Sequence, residues 1–522
     1  MQARDHVSTQ RTVRDGCLLL ADIPLDIIYL ILDYLSLQDF ITFTKVAKFC
    51  RGLLHHDIIW RRLYQRSTLP LPPGPAEWQS VSDLSDPLIK STKVQINWPP
   101  NLSRPQIIRS RHIPINRDDA GFSVILDRWI LVAGGSNVLC YDSHSTALEE
   151  SAKVLINGGD GGRIQSIKSA WKAYADGRVA AFAAIYVEQE LKIMRIIMAS
   201  GEPSGAEIIV TRDLSSFRHL APIIAAGLAM TLRHRLLIIT LGSYGPDWET
   251  SERLIILDAD TLRQYHIPKL ASEAVPIIQS QDVTSVFETR THLIKSRSTY
   301  TREAGWHSFL ECFPIPPVNT PPEITILECS HQDQIHDIKL QTPFLIQDSL
   351  EGPQTGQISF TIGGLLLDPF RTNRPSLSVI DVCLEAAGGI SCERVDILRM
   401  QNAGSLRLDS LNGHARGICQ NATKPELTAF SFDYQPELTT FSWSEPIRIP
   451  EESYFRRKLV TFDAFGGTAY FDVTGTKSGR VVEILDFASD LKQSGEPARR
   501  GWSRGRGSSR TSSSRILYPP AR

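Results

Sequence analysis

The sequence predicts an α+β multidomain protein in which a small N-terminal helical domain is followed by a large all-β domain. Apolar residues recur at helical spacing between residues 17 and 66, whereas short apolar runs separated by charged turns extend from about residue 107 to 487. Residues 69–75, Leu-Pro-Leu-Pro-Pro-Gly-Pro, lie between the two patterns. The predicted division is a disordered 1–16, a helical domain 17–66, a Pro-rich linker 67–106, an all-β domain 107–487 and a disordered Arg/Ser/Gly-rich tail 488–522.

The first predicted helix has an unusually broad apolar surface. Proline is accommodated in the first turn of a helix, so Pro24 marks its start. At about 100° per residue, Asp26, Tyr29 and Asp33 share one narrow arc, and the remaining arc of about 220° is aliphatic apart from Tyr34. A surface helix needs an apolar stripe of only about 100°. Either a second layer of the same chain or a partner protein must therefore cover the rest.

Two further short helices complete the domain. Ser36-Leu37-Gln38-Asp39 provides a cap and an acidic first turn for the second helix, and the third begins at Asp57. Three short helices within about 50 residues bury too little surface to be stable alone. This favours a partner protein as the cover of the first helix.

Five separated pieces of this domain resemble the F-box motif. They follow the order and spacing of that motif: Ile23-Pro24, Ile31-Leu32-Asp33-Tyr34-Leu35, Asp39-Phe40, Val46-Ala47-Lys48 and Ile59-Trp60-Arg61-Arg62-Leu63. Ile23, Ala47 and Cys50 depart from the residues that are common at their positions. An ordinary amphipathic helical hairpin gives the same aliphatic intervals, but not the combination of Pro24, the broad apolar arc and Trp60.

The resemblance implies that the domain docks on the Skp-type adaptor of a Skp–cullin–F-box ubiquitin ligase. By this resemblance, the residues that form and support the adaptor-facing surface are Pro24, Leu25, Ile28, Ile31, Leu32, Leu35, Val46, Trp60 and Leu63.

The all-β domain repeats a pattern of apolar strands joined by short charged turns. The predicted strands are 122–126, 129–133, 138–141, 178–187, 191–199, 223–232, 236–241, 254–258, 283–287, 292–295, 358–367, 377–382, 427–432, 459–465, 469–473 and 481–485. Their recurrence at intervals of roughly 45–60 residues predicts a β-propeller of about seven blades. A pair of β-sandwiches without an internal repeat is the alternative. The arrangement also resembles, more loosely, fungal F-box proteins with a degenerate C-terminal propeller.

Composition restricts the class of protein. The 522 residues are 42% hydrophobic and 22% charged with a formal net charge of −1, so no overall field attracts nucleic acid or a membrane. The eight cysteines contain no C-x-x-C pair, and no secretory signal is recognisable. We therefore expect a reduced, cytoplasmic or nuclear protein. Arg-Gly dipeptides in the tail can bind RNA, but tails of this composition more often remain solvated.

The residues predict neither catalysis nor a cofactor. The chain has no G-x-x-x-x-G-K-[ST] or H-E-x-x-H motif and no G-x-S-x-G elbow between a strand and a helix. His331, Asp333, His336 and Asp337 could gather a metal ion, but their spacing suits neither one helix face nor one strand, which favours a polar loop.

The predicted function is therefore a non-catalytic substrate-recognition subunit of a ubiquitin ligase. The F-box would bind the adaptor and, through it, the cullin, while the all-β domain would hold an unidentified target protein. One alternative is an F-box scaffold that binds the adaptor without delivering ubiquitin. Another is a propeller hydrolase or lyase, which requires convergent carboxylates or histidines at the propeller axis.

Overall fold

The computed structural model describes residues 23–488 apart from short internal segments, the longest of which are 217–226, 242–253, 269–282 and 367–375. Three parts of the predicted division lie outside the described residues. They are the disordered residues 1–16, the first residues of the helical domain and the Arg/Ser/Gly-rich tail after residue 488.

Five α-helices form the N-terminal part of the described chain. They are α1 (Leu25–Leu32), α2 (Leu37–Phe43), α3 (Lys48–Gly52), α4 (Asp57–Gln65) and α5 (Val81–Asn97). The sequence predicts a second helix that continues to the break at Gly52, whereas in the structure it ends at Phe43 and a separate helix begins at Lys48. The hydroxyls of Thr42 and Thr44 donate to the carbonyls of Gln38 and Ile41 near this end, a local bonding pattern that competes with helix continuation. None of the described helices has the length and apolar character needed to cross a membrane.

One apolar core holds these helices together. Trp60 lies at its centre, where its ring meets the edge of Phe40 at 5.5 Å between centroids. The indole N–H of Trp60 donates to the carbonyl of Leu54 at 2.9 Å, so its polar atom is satisfied inside the core. The fully buried members are Ile28, Leu32, Phe40, Leu53, Ile59, Trp60, Leu63, Tyr64, Leu71, Leu84 and Leu88.

Helix α5 lies within the range that the sequence predicts to be a Pro-rich linker. A capping box starts it: the backbone N–H of Ser80 donates to the Asp83 carboxylate at 2.8 Å, and the N–H of Asp83 donates to the Ser80 hydroxyl at 3.3 Å. The 17-residue helix accommodates Pro87. Its first half contributes Leu84 and Leu88 to the helical core. This part of the predicted linker, where the sequence allows one helix, therefore contains a helix that packs on the helical core.

In the part of the chain that the structure describes, twenty-nine strands form seven antiparallel sheets. Sheet 1 contains β2 (Gly121–Ile125), β3 (Trp129–Gly134), β4 (Asn137–Asp142) and β5 (Lys153–Ile156). Sheet 2 contains β6 (Ile164–Ala173), β7 (Val179–Val187), β8 (Glu190–Ala199) and β9 (Glu202–Asp213). Sheet 3 contains β10 (Ala229–Leu232), β11 (Leu236–Thr240), β12 (Leu254–Asp258) and β13 (Gln264–Tyr265). Sheet 4 contains β14 (Val283–Glu288), β15 (His292–Thr301), β16 (Gly305–Pro314) and β17 (His331–His336).

The remaining sheets follow the same plan. Sheet 5 contains β18 (Leu340–Glu351), β19 (Ile358–Leu366), β20 (Ser376–Leu384) and β21 (Ile390–Arg399). Sheet 6 contains β22 (Ala403–Leu411), β23 (His414–Asn421), β24 (Glu426–Asp433), β25 (Thr440–Trp443) and β26 (Ile447–Arg448). Sheet 7 contains β27 (Arg456–Asp463), β28 (Thr468–Thr476), β29 (Gly479–Asp486) and, from the start of the domain, β1 (Arg109–Ile115).

The register of β1 joins the two ends of the all-β domain. It runs antiparallel to β29, with Arg109 opposite Asp486 and Ile115 opposite Arg480. The first strand of the domain therefore completes its last sheet. The prediction of a small helical part followed by a large all-β part is confirmed.

Each sheet packs against the next one along the chain. Buried apolar clusters join sheets 1 and 2, 2 and 3, 3 and 4, and 4 and 5. Strands β18 and β22 are in contact between sheets 5 and 6. Further clusters join sheet 6 to sheet 7 and sheet 7 back to sheet 1.

Candidate functional site

Helix α1 is apolar over a wider arc than its own core buries. Ile28 and Leu32 point into the helical core and are almost completely buried. A second, exposed side, which we call the outer α1 face, consists of Ile27, Leu30, Ile31 and Tyr34. These side chains remain 43%, 56%, 44% and 91% exposed. At about 100° per residue, the outer α1 face spans an arc of about 100°, and its centre lies about 130° around the helix from that of Ile28 and Leu32.

Polar contacts with α4 fix the rotation of α1. On the polar arc of α1, Asp33 pairs with Arg62 at 3.0 Å, and the Tyr29 hydroxyl lies 3.0 Å from Nδ1 of His56. Arg66 donates to the carbonyl of Leu32 at 2.8 Å, and its guanidinium also meets the carbonyls of Asp33 and Leu35. These carbonyls have no partner inside the helix, so the arginine caps its C-terminus. The outer α1 face is thereby turned away from the bundle.

The nine residues predicted to form and support the adaptor-facing surface divide into three groups. Four are exposed: Pro24, Leu25, Ile31 and Val46. Leu35 is half-buried, whereas Ile28, Leu32, Trp60 and Leu63 are buried in the core and can only support the surface from beneath. Ile27, Leu30 and Tyr34 were not predicted as site residues, although the helical wheel already places them together on one arc.

Exposed apolar side chains are concentrated in this domain. Among the described residues, fourteen large hydrophobic side chains are exposed, and seven of them lie between Leu25 and Ile58. The others are distributed over α5 and the all-β domain. A local concentration of this kind distinguishes an interaction surface from the scattered exposed apolar residues of any soluble protein.

Trp98, directly after α5, attaches the helical part to sheet 7. Its indole stacks on Phe462 at 5.5 Å and meets the edge of Phe487 at 5.4 Å. Its Nε1–H donates to the carbonyl of Phe430 in sheet 6 at 3.2 Å. The ring is 2% exposed, so the attachment is a continuation of the β-domain core.

Arg416 of β23 adds a buried polar contact to this attachment. Its guanidinium donates to the Ser91 hydroxyl on α5 and to the carbonyl of Ala464, both at 3.3 Å, and it also meets Gln95 of α5. Lys90 pairs with Asp463 at 3.6 Å beside it. Apolar packing and charge-assisted hydrogen bonds therefore fix the direction in which the outer α1 face points relative to the sheets.

The histidines that were considered as metal ligands lie in a strand. Residues 331–336 form β17, so the predicted polar loop is wrong for them, and Asp337 lies outside the described residues. The His331 ring lies 2.9 Å from the carbonyl of Glu385 and 6.1 Å, between centroids, from His292. Burial, together with the charge of His331, lowers the pKa of His292 to about 4. In the part of the chain that the structure describes, no three His, Cys, Asp or Glu side chains form a group suited to a metal ion.

Comparisons with known proteins give similarities of fold at very low identity. No family model matches the chain, and no curated protein matches it. The WD40 domain of SCAP from fission yeast is 8% identical with a TM-score of 0.38, over 72% of this chain and 83% of that one. The Nup170 NTD–Nup53 complex of Chaetomium thermophilum is 8% identical with a TM-score of 0.36, over 76% of this chain and 67% of that one. A chain of the Mitotic Checkpoint Complex is 9% identical with a TM-score of 0.32, over 81% of this chain and 98% of that one. Similarities this weak carry no argument about function.

Proposed function

We propose that this protein is the substrate-recognition subunit of a Skp–cullin–F-box ubiquitin ligase. The outer α1 face, with Leu25 and Val46, would bind the Skp-type adaptor, which in turn binds the cullin. The observation that carries the proposal is that α1 presents a second, exposed apolar face beside the one that its own bundle buries. The F-box-like sequence of the helical part is the reason for proposing a Skp-type adaptor as the partner.

The size of the apolar surface is consistent with a stable complex. Leu25, Ile27, Leu30, Ile31 and Val46 keep 42% to 71% of their surface exposed. Burying the remainder yields roughly 1–2 kcal/mol for each side chain, or about 5–10 kcal/mol in total before the entropy of association is subtracted. Polar and charged contacts at the rim would have to supply the rest of the affinity.

For the all-β domain we propose a seven-bladed β-propeller that holds the target protein. Seven antiparallel sheets of four or five strands, the packing of each on the next, and the pairing of β1 with β29 support a closed ring. Helix α5 lies against the turn between β27 and β28, where a Cβ on Gly467 would lie 2.5 Å from a methyl group of Val94, and we expect the target to bind at the other end of the strands. The ligase would act by raising the local concentration of the target near a charged ubiquitin carrier.

Co-purification of the adaptor with the full chain tests the first half of the proposal. The variant should combine Ile27→Ser, Leu30→Ser and Ile31→Ser, because these side chains are exposed and their loss leaves the core intact. We expect loss of the adaptor from this variant with unchanged circular dichroism. Ile208→Ser on β9, which removes an equally exposed isoleucine from the β domain, is the matched control and should retain the adaptor. Equal adaptor recovery from both variants would contradict the proposal.

The alternative of a non-degradative F-box scaffold shares the adaptor surface. Two observations would support the ligase subunit. One is recovery of the cullin together with the adaptor, and the other is slower turnover of proximity-labelled proteins after depletion of this chain. Adaptor binding without either effect supports the scaffold.

A further inference from the structure

A shallow cleft, which we call the Arg62 cleft, lies between α1 and α4. It encloses about 190 Å³ of space that opens to solvent. Leu32, Ile59 and Leu63 form its floor and are at least 95% buried, whereas Tyr29, Asp33, Arg62 and Arg66 line its rim. Sites for small organic ligands usually measure about 300–1,000 Å³. The Arg62 cleft therefore suits the end of one side chain rather than a free organic ligand.

The rim of the Arg62 cleft carries more positive than negative charge. Among the described residues that line it, Asp33 is the only acid, and it lies 3.0 Å from Arg62 and 4.0 Å from Arg66. Asp26, on the same arc of α1, is about two helical turns away and does not line the cleft. Arg66 also binds the carbonyls at the end of α1. One carboxylate therefore faces two guanidinium groups, of which Arg62 is the more exposed.

The guanidinium of Arg62 is held in a fixed position. Its Nη1–H donates to the Asp33 carboxylate at 3.0 Å, and its central carbon lies 5.8 Å from the centroid of the Tyr29 ring. The Tyr29 hydroxyl is itself 3.0 Å from Nδ1 of His56. The Arg62 side chain nevertheless remains 46% exposed, so a carboxylate from another protein can approach it through solvent. A positioned arginine loses little side-chain entropy when such a carboxylate binds.

The Arg62 cleft adjoins the outer α1 face. Leu30 belongs to that face, and Asp33 belongs to the rim of the cleft. These two residues are three positions apart, which corresponds to about 60° around the helix and about 4.5 Å along it. A protein that covers the outer α1 face therefore reaches the cleft with a neighbouring side chain. The two features form one continuous surface, with an apolar part and a positively charged part.

We propose that the Arg62 cleft receives an acidic side chain of the adaptor. The inference rests on the proposed function, because it specifies the chemistry of the adaptor beside the outer α1 face. The incoming carboxylate pairs with Arg62 and competes with Asp33 for the same guanidinium. The apolar contacts of the outer α1 face supply most of the buried area, and the ion pair selects the orientation in which the adaptor binds.

Calorimetric titration of the full chain with purified Skp-type adaptor, at about 50 and 500 mM sodium chloride, tests this site. Arg62→Gln should weaken binding about tenfold at the lower salt concentration, because a charge-assisted hydrogen bond is lost. Its affinity should also fall less than that of the parent when salt is added. Arg178→Gln in the β domain is the matched control. It removes an exposed arginine that lies 5.1 Å from the Tyr174 ring centroid and 4.0 Å from Asp260, and it should bind like the parent.

Asp33→Asn separates a contact with the adaptor from a role inside the helical part. If Arg62 acted only by fixing the rotation of α1 through Asp33, Asp33→Asn and Arg62→Gln would weaken binding equally. A carboxylate supplied by the adaptor competes with Asp33, so Asp33→Asn should bind at least as tightly as the parent. Both side chains are more than one-third exposed, so we expect both variants to fold, and circular dichroism checks this.

The adaptor residue is identified by changing its acidic residues, one at a time, to the corresponding amides. One of these changes should weaken binding to the parent and have no further effect on Arg62→Gln. Equal affinity and equal salt dependence of the parent and Arg62→Gln overturn the inference and leave the proposed function intact. Equal weakening by Asp33→Asn and Arg62→Gln also overturns it. Failure of the parent to bind the adaptor overturns both the inference and the proposed function.

Discussion

The indole of Trp98 stacks on the ring of Phe462 with their centroids 5.5 Å apart, and this contact joins the helical part of the chain to sheet 7. A chain segment that the sequence assigns to a linker therefore ends in the core of the β domain. Any partner bound at the outer α1 face is held in a fixed direction relative to the seven sheets. The predictions below test this attachment, the buried interior and the two faces of α1.

Trp98→Ala should strongly destabilise the protein. The substitution removes a buried aromatic side chain that contacts two phenylalanine rings, which typically costs about 3–5 kcal/mol of unfolding free energy. Trp98→Phe keeps the ring stacking and loses the hydrogen bond to the Phe430 carbonyl, so a smaller loss of about 1–2 kcal/mol is expected. Urea unfolding followed by circular dichroism measures both. A loss below 1 kcal/mol for Trp98→Ala would show that α5 is not part of the β-domain core.

Gly467→Ala should destabilise the turn that receives α5. Gly467 has φ of +65°, and a Cβ placed there would lie 2.5 Å from a methyl group of Val94. The backbone conformation costs about 1 kcal/mol for alanine, and the overlap adds roughly 1–3 kcal/mol. In a double-mutant cycle, Val94→Ala should recover part of the overlap term, so the two effects are not additive. Gly205→Ala, at a position with no atom within 4 Å, should be nearly neutral.

The stability of the protein should fall in mildly acidic solution because of His292. Its pKa is lowered to about 4 in the folded state, so below pH 6.5 the unfolded chain binds a proton that the folded chain refuses. The resulting loss of unfolding free energy is absent above pH 6.5 and grows to on the order of 3 kcal/mol as the pH approaches 4.

Unfolding midpoints of the parent and His292→Gln between pH 7.5 and 4.5 measure this effect. The variant should lose less stability on acidification than the parent. His55→Gln, at an exposed histidine of the helical part, is the control and should follow the parent. Identical pH profiles for the parent and His292→Gln would contradict a buried, neutral His292.

The strands that the sequence predicts are the apolar ones. Strands β3 and β7 are buried over most of their length and stand out as continuous hydrophobic runs. Strands β9 and β17 were not predicted, because they are terminal strands with many polar residues. β17 reads His-Gln-Asp-Gln-Ile-His, and most positions of β9 keep access to solvent. Their pairing depends on a neighbouring strand and not on an apolar pattern of their own.

The adaptor-facing residues were predicted with a similar limitation. The helical wheel establishes that α1 has more apolar surface than a small core requires, but it does not say which part of the arc points inward. That choice depends on Asp33 and the C-terminal carbonyls of α1, which bind Arg62 and Arg66 of the helix α4 region. These contacts join residues about 30 positions apart, so no local pattern reports them. Ile28 and Leu32 therefore belong to the core, while Ile27 and Leu30 belong to the surface.

Ile31 and Leu32 are adjacent in sequence, but the same substitution should have little effect on stability at Ile31 and a large one at Leu32. Ile31→Ser removes a side chain that is 44% exposed, so the unfolding free energy should change by less than about 0.5 kcal/mol. Leu32→Ser places a hydroxyl in the helical core, where the side chain is 3% exposed, and should cost roughly 3–5 kcal/mol. Urea unfolding of the full chain, followed by circular dichroism, compares them. If Ile31→Ser is as damaging as Leu32→Ser, the outer α1 face is covered by the chain itself and is not available to a partner protein.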